Sequence, residues 1–424
     1  LPEAAARALR GRLLSFGPGD AHHYEPDGVV LIQAGRISAV GPWQDVVLPQ
    51  GVVVEDHGGR LIMPGFIDPH IHYPQCRMIA SYGAQLIEWL ERYTFPAEQK
   101  FADPAYAESE ATWFLDELLR QGTTTACVYC SVHPESVEAF FAESERRGTC
   151  MIAGKVMMDR HAPAALCDDA AGGYAQSETL LRRWHRRGRQ LYAITPRFAI
   201  TSSPAQLEAA GALALAYPDA YVQTHLAENL AEIAEVRWLY PDDASYTAVY
   251  ARAGLLGPRS LLGHCIHLGE DEVALLRQSG AVAVFCPTSN LFLGSGLFDW
   301  ARLASAGVRI GLATDVGGGT SYSMLRTAAE AYKVLQLRGQ DLPAFAAFRA
   351  ITRGNAEVLG LENRIGSLDV GTDADLVVLD TGATPAMRHR LEAVGDSLAD
   401  ELFLLMTLGD DRAVAATYVA GRRC

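Results

Sequence analysis

Nowhere in the 424 residues does an apolar stretch approach the roughly 20 positions that a membrane-spanning helix needs. The chain also lacks an excess of positive charge. With 36 Lys and Arg against 50 Asp and Glu, its formal net charge is −14, which excludes an electrostatic footprint for nucleic acid or an anionic membrane. The eight cysteines are scattered and form no evident disulfide framework. Cys127 and Cys130, a solitary CxxC in "TTTACVYCSV", have no second pair at zinc-ribbon spacing. They read as small buried hydrophobes on a strand, in a reduced, cytoplasmic protein. The opening "LPEAAARALRGRLLSF" has no apolar core followed by a cleavage pattern, so no secretion signal is expected there. No internal repeat or low-complexity linker stands out.

What is present is alternation. The balance of 49% hydrophobic and 20% charged residues is that of a globular chain, long enough for one large domain or two. Eight β-type runs follow one another: "PGFIDPHIH", "GTTTACVYCSV", "GTCMIAGKVMM", "QLYAITPRFAI", "YVQTHLAEN", "SLLGHCIHL", "AVAVFCPTSN" and "VRIGLATDV". Helical segments lie between them, such as Pro104–Gln121, Pro134–Arg147, Tyr174–Arg187, Pro204–Tyr217 and Glu270–Ser279, several opening on Pro, Ser or Asp. Eight β–α units in series predict an α/β fold, a (β/α)8 barrel of the TIM type, over residues 63–365. The flanks, residues 1–62 and 366–424, carry β-rich pieces with Gly, Asp and Pro turns, among them "GVVLIQAGRISAVGP" and "GTDADLVVLD". They predict two halves of a small β-sandwich, the second with a helical excursion near 390–408.

In "MPGFIDPHIHYPQ", His70 and His72 stand one residue apart and share a strand face. Alone, the pair reads equally well as two surface histidines. The barrel changes the weighing, because its catalytic groups gather at the C-terminal ends of the strands. His70 and His72 end the first run, Arg197 and Phe198 the fourth, His225 and Glu228 the fifth, His264 the sixth and Asp315 the eighth. Ligand-type residues thus concentrate where the fold makes them converge.

Three motifs point elsewhere and are set aside. "HPE" at His133–Glu135 lacks the PCxxC pair of the deaminases that act on flipped bases. "GDSL" at Gly395–Leu398 lacks the strand-turn-helix context of an esterase nucleophile and reads as a helix start capped by Asp396 or Ser397. "DVGGGTS" at Asp315–Ser321 lacks the GK[ST] of a phosphate loop, and its glycines read as room for backbone to crowd the site. His267 reads as structural or solvent-facing. His22, His23, His57, His133, His161 and His185 sit in no comparable context.

The His70/His72 pair with His225, His264 and Asp315 resembles the amidohydrolase superfamily of metal-dependent barrel hydrolases, and "GTDADLVVLD" resembles that superfamily's second β-segment. Within it, "WLERYTFPAE", "TPRFAITS", "THLAENLAEI", "CPTSNLFLGSGLFD" and "LATDVGGGTSYSMLRT" are similar to the guanine deaminase family over nearly the whole chain. Ala227 stands where that pattern has Ser, and Pro69 where it has Thr. The resemblance implies one Zn²⁺ per chain on His70, His72, His225 and Asp315, leaving a position open for water. It implies Glu228 as proton shuttle and His264 against the activated water; whether His264 also ligates the metal stays open. Arg197 would donate to the O6 carbonyl of guanine, Gln75 would face the edge carrying N3, and Phe198 would supply an aromatic wall. The segment Tyr73–Asp103, with Trp89, Tyr93 and Phe95, is expected to be a lid and a subunit contact in a homodimer. The implied activity is hydrolytic deamination of guanine to xanthine and ammonia, in purine catabolism. The alternatives are deamination of a related ring, a pterin or 8-oxoguanine, and an inactive barrel serving as an assembly scaffold.

Overall fold

The computed structural model describes residues 6–82 and 85–424. Four strands open the chain, β1 (Arg7–Phe16), β2 (His22–Gln33), β3 (Arg36–Pro42) and β4 (Val53–Pro64). The next nine are β5 (Phe66–His72), β6 (Thr123–Tyr129), β7 (Cys150–Gly154), β8 (Val156–Met157), β9 (Leu191–Pro196), β10 (Tyr221–Leu226), β11 (Ser260–His264), β12 (Val282–Phe285) and β13 (Arg309–Leu312). Three more, β14 (Leu376–Leu379), β15 (Val414–Val419) and β16 (Arg422–Arg423), lie near the C-terminus.

Strands β5, β6, β7 and β9 to β13 pair in parallel, each with its sequence neighbour, as the eight alternating runs predict. Their apolar runs are buried at nearly every position, because helices cover one face and the barrel interior fills the other. The third run divides at Lys155, and β8 beyond it pairs only with β9. Pro69 lies where the β5–β6 register shifts between Asp68 and Ile71, as suits a residue with no N–H to give a ladder.

Side chains close the barrel between first and last strands. The Asn355 amide donates to the carbonyls of Ile67 (2.7 Å) and Leu312 (2.8 Å) and accepts from Leu312 N (3.0 Å). The buried Asp68 carboxylate accepts from Thr314 N (3.2 Å) and Oγ1 (2.5 Å). Farther up the seam, Asp315 N donates to the His70 carbonyl (2.9 Å) and His72 N to that of Val316 (2.6 Å). Position 315 is thereby tied to the two histidines through the backbone.

Helices Pro104–Arg120, Pro134–Arg147, Pro204–Ala216 and Glu270–Ser279 form where the sequence predicts them, the first three with Pro at the first turn. The segment predicted as Tyr174–Arg187 instead runs Ala170–Trp184. Asp169 caps the earlier start by accepting from Gly172 N, although the first turn contains two glycines.

The chain ends meet in one seven-stranded sheet of order β16-β15-β14-β4-β1-β2-β3, joined where β14 pairs antiparallel with β4. Helices Pro385–Leu391 and Leu398–Leu408 interrupt its C-terminal strands, and Ser397 of the "GDSL" motif caps the second by accepting from Asp400 N. Among the described residues, no helix is long and apolar enough to cross a membrane.

Candidate active site

The strand ends carry their polar residues into one cavity, lined by His72, His225, Glu228, His264 and Asp315 together with Gln75, Arg197, Phe198, Leu86, Trp89 and Leu90. The register explains the convergence. Pairing of β10 with β11 sets His225 beside Gly263 and Leu226 beside His264. A side chain at Gly263 would put its Cβ 2.5 Å from His70 Cε1, so glycine there makes room for the imidazole of β5. A Cβ on Gly318 would meet Ser289 Oγ at 2.7 Å, so the glycine-rich stretch does let backbone approach the site. Ala227 (φ 50°), His264 (φ 72°) and Asp315 (φ 53°) all adopt left-handed backbone at these strand ends, strain of the kind that gathers where side chains are aimed for function.

One donor atom each from His70, His225, His264 and Asp315 fall within 4.8 Å of one another. His72 Nε2 lies 3.3 Å from Asp315 Oδ1 and 3.2 Å from His225 Nε2. Burial pushes the His72 imidazole down to about 4 and that of His264 to about 3, and holds His225 well below the ordinary value, so all three are neutral at neutral pH. His225 Nδ1 donates to the Arg197 carbonyl (2.7 Å), which turns its Nε2 lone pair toward the cluster and toward His72. His70 is buried, its Nδ1 has no hydrogen-bond partner, and its Nε2 lies 3.3 Å from Asp315 Oδ1. Burial raises Asp315, but the imidazoles of His70 and His72 outweigh it and hold the carboxylate well below its usual range. Neutral imidazoles with facing lone pairs around an ionised carboxylate fit a divalent cation of the nitrogen- and oxygen-binding kind.

Glu228 stands at the edge of this cluster, its Oε2 3.4 Å from His264 Nε2 and its Oε1 accepting from Ser295 Oγ (2.8 Å). Burial, then the charges of Glu232 and Asp315, push it well above the usual carboxylate range, against the pull of Ser295. A buried carboxyl raised in this way beside a cluster of imidazoles is suited to carrying a proton.

The opposite wall is tied together by Glu98. Arg197 Nη1 donates to both Glu98 oxygens (2.8 Å each), and Gln75 Nε2 donates to Glu98 Oε1 (3.0 Å). Gln75 Oε1 accepts from Gly317 N (3.2 Å). The buried ion pair that Arg197 could form as an alternative to lining the site is therefore present, and Arg197 lines the cavity as well. Trp89 and Phe95 of the expected lid are buried and Tyr93 partly so, in helical turns running Leu86–Ala102. Residues 83–84 of that segment lie outside the described residues.

Sequence reasoning overlooked Glu98, Ser295, Glu232 and Asn290, whose Nδ2 sits 2.9 Å from His264 Nδ1. Glu232 had a usable signal, as the third helical residue after Asn229 in a capping-box pattern, and Glu98 closes the aromatic-bearing stretch "WLERYTFPAE". His267 contacts the Ser295 carbonyl (2.7 Å), a structural role, and Cys127 and Cys130 are buried free thiols.

Residues 61–424 match the Amidohydrolase family. Guanine deaminase of Escherichia coli (strain K12) is 48% identical over 423 residues, covering 99% of this chain and 93% of that protein. The solved structure of E. coli guanine deaminase superposes with a TM-score of 0.97 at 47% identity, covering 99% of each chain. Guanine deaminase from C. acetobutylicum, solved with guanine bound in its active site, has a TM-score of 0.89 at 27% identity, again over 99% of each. An adenosine deaminase from Xanthomonas campestris with bound Zn has a TM-score of 0.85 at 26% identity, over 100% of this chain and 93% of that one. With strand-end histidines and an aspartate gathered in a nearly closed parallel barrel, and a family match over most of its length, the chain belongs to the amidohydrolase family.

Proposed function

We propose that the chain catalyses hydrolytic deamination of guanine: water adds at C2, the exocyclic amine leaves as ammonia, and xanthine is formed. The observation that carries this is Glu228, a raised buried carboxyl 3.4 Å from His264 in a cavity that Arg197 and Gln75 also line. The curated and solved guanine deaminases it resembles support the same substrate.

His70, His72, His225 and Asp315 would hold Zn²⁺, with His264 close enough to join them or to face the water from across the site. When bound, zinc supplies the Lewis-acid field that lowers the pKa of a water from 15.7 toward about 7. Glu228 would take the first proton of the water and pass it to N3, where xanthine keeps it, and then carry the proton of the new C2 hydroxyl to the exocyclic amine, since an amidine-type nitrogen leaves poorly until protonated. His264, held by Asn290, steadies the developing tetrahedral centre. Arg197 donates to O6, an acceptor in guanine that adenine replaces with a donor amine; Gln75 meets the N3 edge, and Phe198 and Trp89 wall the ring.

The lid segment Tyr73–Asp103 forms part of a homodimer contact in this reading, and free cysteines throughout the chain suit a reducing cytoplasmic compartment. Ammonia release from a panel of guanine, pterin, 8-oxoguanine, adenine and cytosine tests the substrate. Guanine should lead by kcat/KM; a pterin or 8-oxoguanine ahead of it would reassign the site, and inactivity on all five with no bound metal would leave a scaffold. Sedimentation velocity reads the dimer.

A further inference from the structure

We propose that Glu232 is the positioning residue of the proton shuttle: its carboxylate pins the backbone at Glu228, so that the Glu228 side chain can move while its anchor stays fixed. The inference rests on the deamination reading above and concerns a buried carboxylate that the reading leaves unused.

Glu232 is 1% exposed and lines the same cavity as Glu228. Its hydrogen bonds distinguish it from a second proton carrier. Oε2 accepts from Glu228 N (2.8 Å) and Asn229 N (3.1 Å), and Oε1 accepts from the Tyr246 hydroxyl (2.8 Å). Both oxygens are engaged by donors, which suits an ionised acceptor and leaves the exchange of protons to Glu228.

A capping box explains only part of this arrangement. Asn229 accepts from Ala231 N (2.9 Å) and Glu232 returns a bond to Asn229 N, as a helix start requires. The shorter bond reaches one residue farther back, outside the helix, to the amide of Glu228. The chain needs holding there. Ala227 has a φ of 50°, a left-handed conformation that is unfavourable for a residue with a side chain. The Ala227 carbonyl accepts from Ile266 N and His267 N (3.1 Å each) in the loop after β11. That carbonyl and the Glu228 N–H belong to one peptide unit, which is therefore gripped at both polar ends. The Glu228 side chain is held more loosely, by Ser295 Oγ (2.8 Å) and by His264 at 3.4 Å.

The division of labour suits a shuttle. A carboxyl that carries protons from water to ring and from hydroxyl to amine must turn about its side-chain bonds. Its reach stays constant only if its Cα stays in place, and a shift of about 1 Å in a reacting group can cost about 10²-fold.

This role demands length of Glu232 more than charge, and two variants separate them. Glu232→Asp keeps the charge, which suits a helix N-terminus, but shortens the arm by one carbon–carbon bond of about 1.5 Å and draws it away from the Glu228 amide. Glu232→Gln keeps the arm and an oxygen for the two amides. Its NH2 falls to the Tyr246 hydroxyl, which accepts it and turns its own hydrogen toward the His225 carbonyl, 3.4 Å away. The readouts on metal-loaded protein are kcat for guanine at the pH plateau of each variant, zinc content, Ki for xanthine and melting temperature. Glu232→Asp should lose at least about tenfold in kcat with zinc content and Ki unchanged. Glu232→Gln should stay close to the unaltered enzyme. In a Glu228→Gln background, Glu232→Asp should cost little more, since Glu232 acts through Glu228. A merely structural role predicts multiplied losses there, with zinc and xanthine binding weakened alongside kcat. The proposal is overturned by any of four results: no loss in folded Glu232→Asp, an equal loss in Glu232→Gln, zinc lost together with activity, or multiplied losses in the double variant. If the shorter arm prevents folding, Glu232→Gln decides alone, and a loss of about tenfold in its kcat overturns the proposal. Each of these outcomes leaves the deamination reading intact, whereas absence of ammonia release from guanine by the unaltered enzyme overturns both.

Discussion

The two walls of the cavity differ in how completely their polar atoms are satisfied. On the imidazole wall, Nδ1 of buried His70 goes unpartnered, and Nε2 atoms of His72 and His225 face each other at 3.2 Å with burial keeping both rings neutral. On the arginine wall, Glu98 gathers donors from Arg197 and Gln75, and Gln75 in turn takes a backbone N–H. Buried polar atoms without partners are costly in a folded protein, so a wall that tolerates them is built around a group that supplies what they lack. A saturated wall is instead preorganised: its side chains are held in place before a ring arrives. The difference teaches that one half of the site stores affinity for a cation and the other half stores orientation for a neutral heterocycle.

The largest expected effect breaks the first wall. Asp315→Ala removes the one anion among the imidazoles, so the folded barrel should bind zinc poorly and deamination should fall to background, read by metal analysis and ammonia release. Full activity in the metal-stripped variant would remove the cluster from the mechanism. Chelation of the unaltered protein should also lower its melting temperature, because a ligand held only by the folded state stabilises it.

Next comes the junction between the walls. Glu228→Gln keeps shape and hydrogen bonding but cannot accept a proton, so kcat should drop by roughly 10²–10⁴ with zinc retained. If zinc vanishes together with activity, Glu228 belongs to the coordination set.

A smaller effect sharpens the second wall. Arg197→Ala would strand the Glu98 carboxylate in a buried site, so its losses mix recognition with stability. Arg197→Lys keeps charge against Glu98 while removing the planar fork. It should cost about 1.5–3 kcal/mol on guanine, one to two decades in kcat/KM. 2-Aminopurine, which lacks O6, should be turned over about as poorly as before, and the melting temperature should barely move. Equal losses on both purines would make Arg197 a brace only.

The smallest effect is a shift in pH profile. Ser295 donates to Glu228 and pulls its pKa down against burial. Ser295→Ala removes that pull, so Glu228 stays protonated to higher pH. Since the shuttle must first be ionised to accept a proton, the acidic limb of kcat/KM should move upward in pH. An unmoved limb would take Glu228 out of the role of initial base.

The barrel was legible because its signal is local and repeated. Apolar strands and capped helices carry their periods in sequence, and the HxH at His70 and His72 shares a face by pleat alone. Even so, two local competitions were misjudged. The helix Ala170–Trp184 begins four residues before its expected start because Asp169 caps a turn that contains two glycines, and the third strand breaks at Lys155, whose amine is spent on Asp168 and the Val156 carbonyl.

By itself, then, the sequence determined which ligand-type residues stand at strand ends and on which face, since strand geometry converts spacing into direction. Only the tertiary structure decided their partners. Glu98 meets Arg197 across 99 positions, and Asn355 closes the barrel against Ile67 across 288. Such pairings depend on how loops fold back over a finished barrel, and no period of 2 or 3.6 residues reaches that far; the same distance in sequence hid the orientation of the Gln75 amide, which is set only once Glu98 and Gly317 have closed on its two ends.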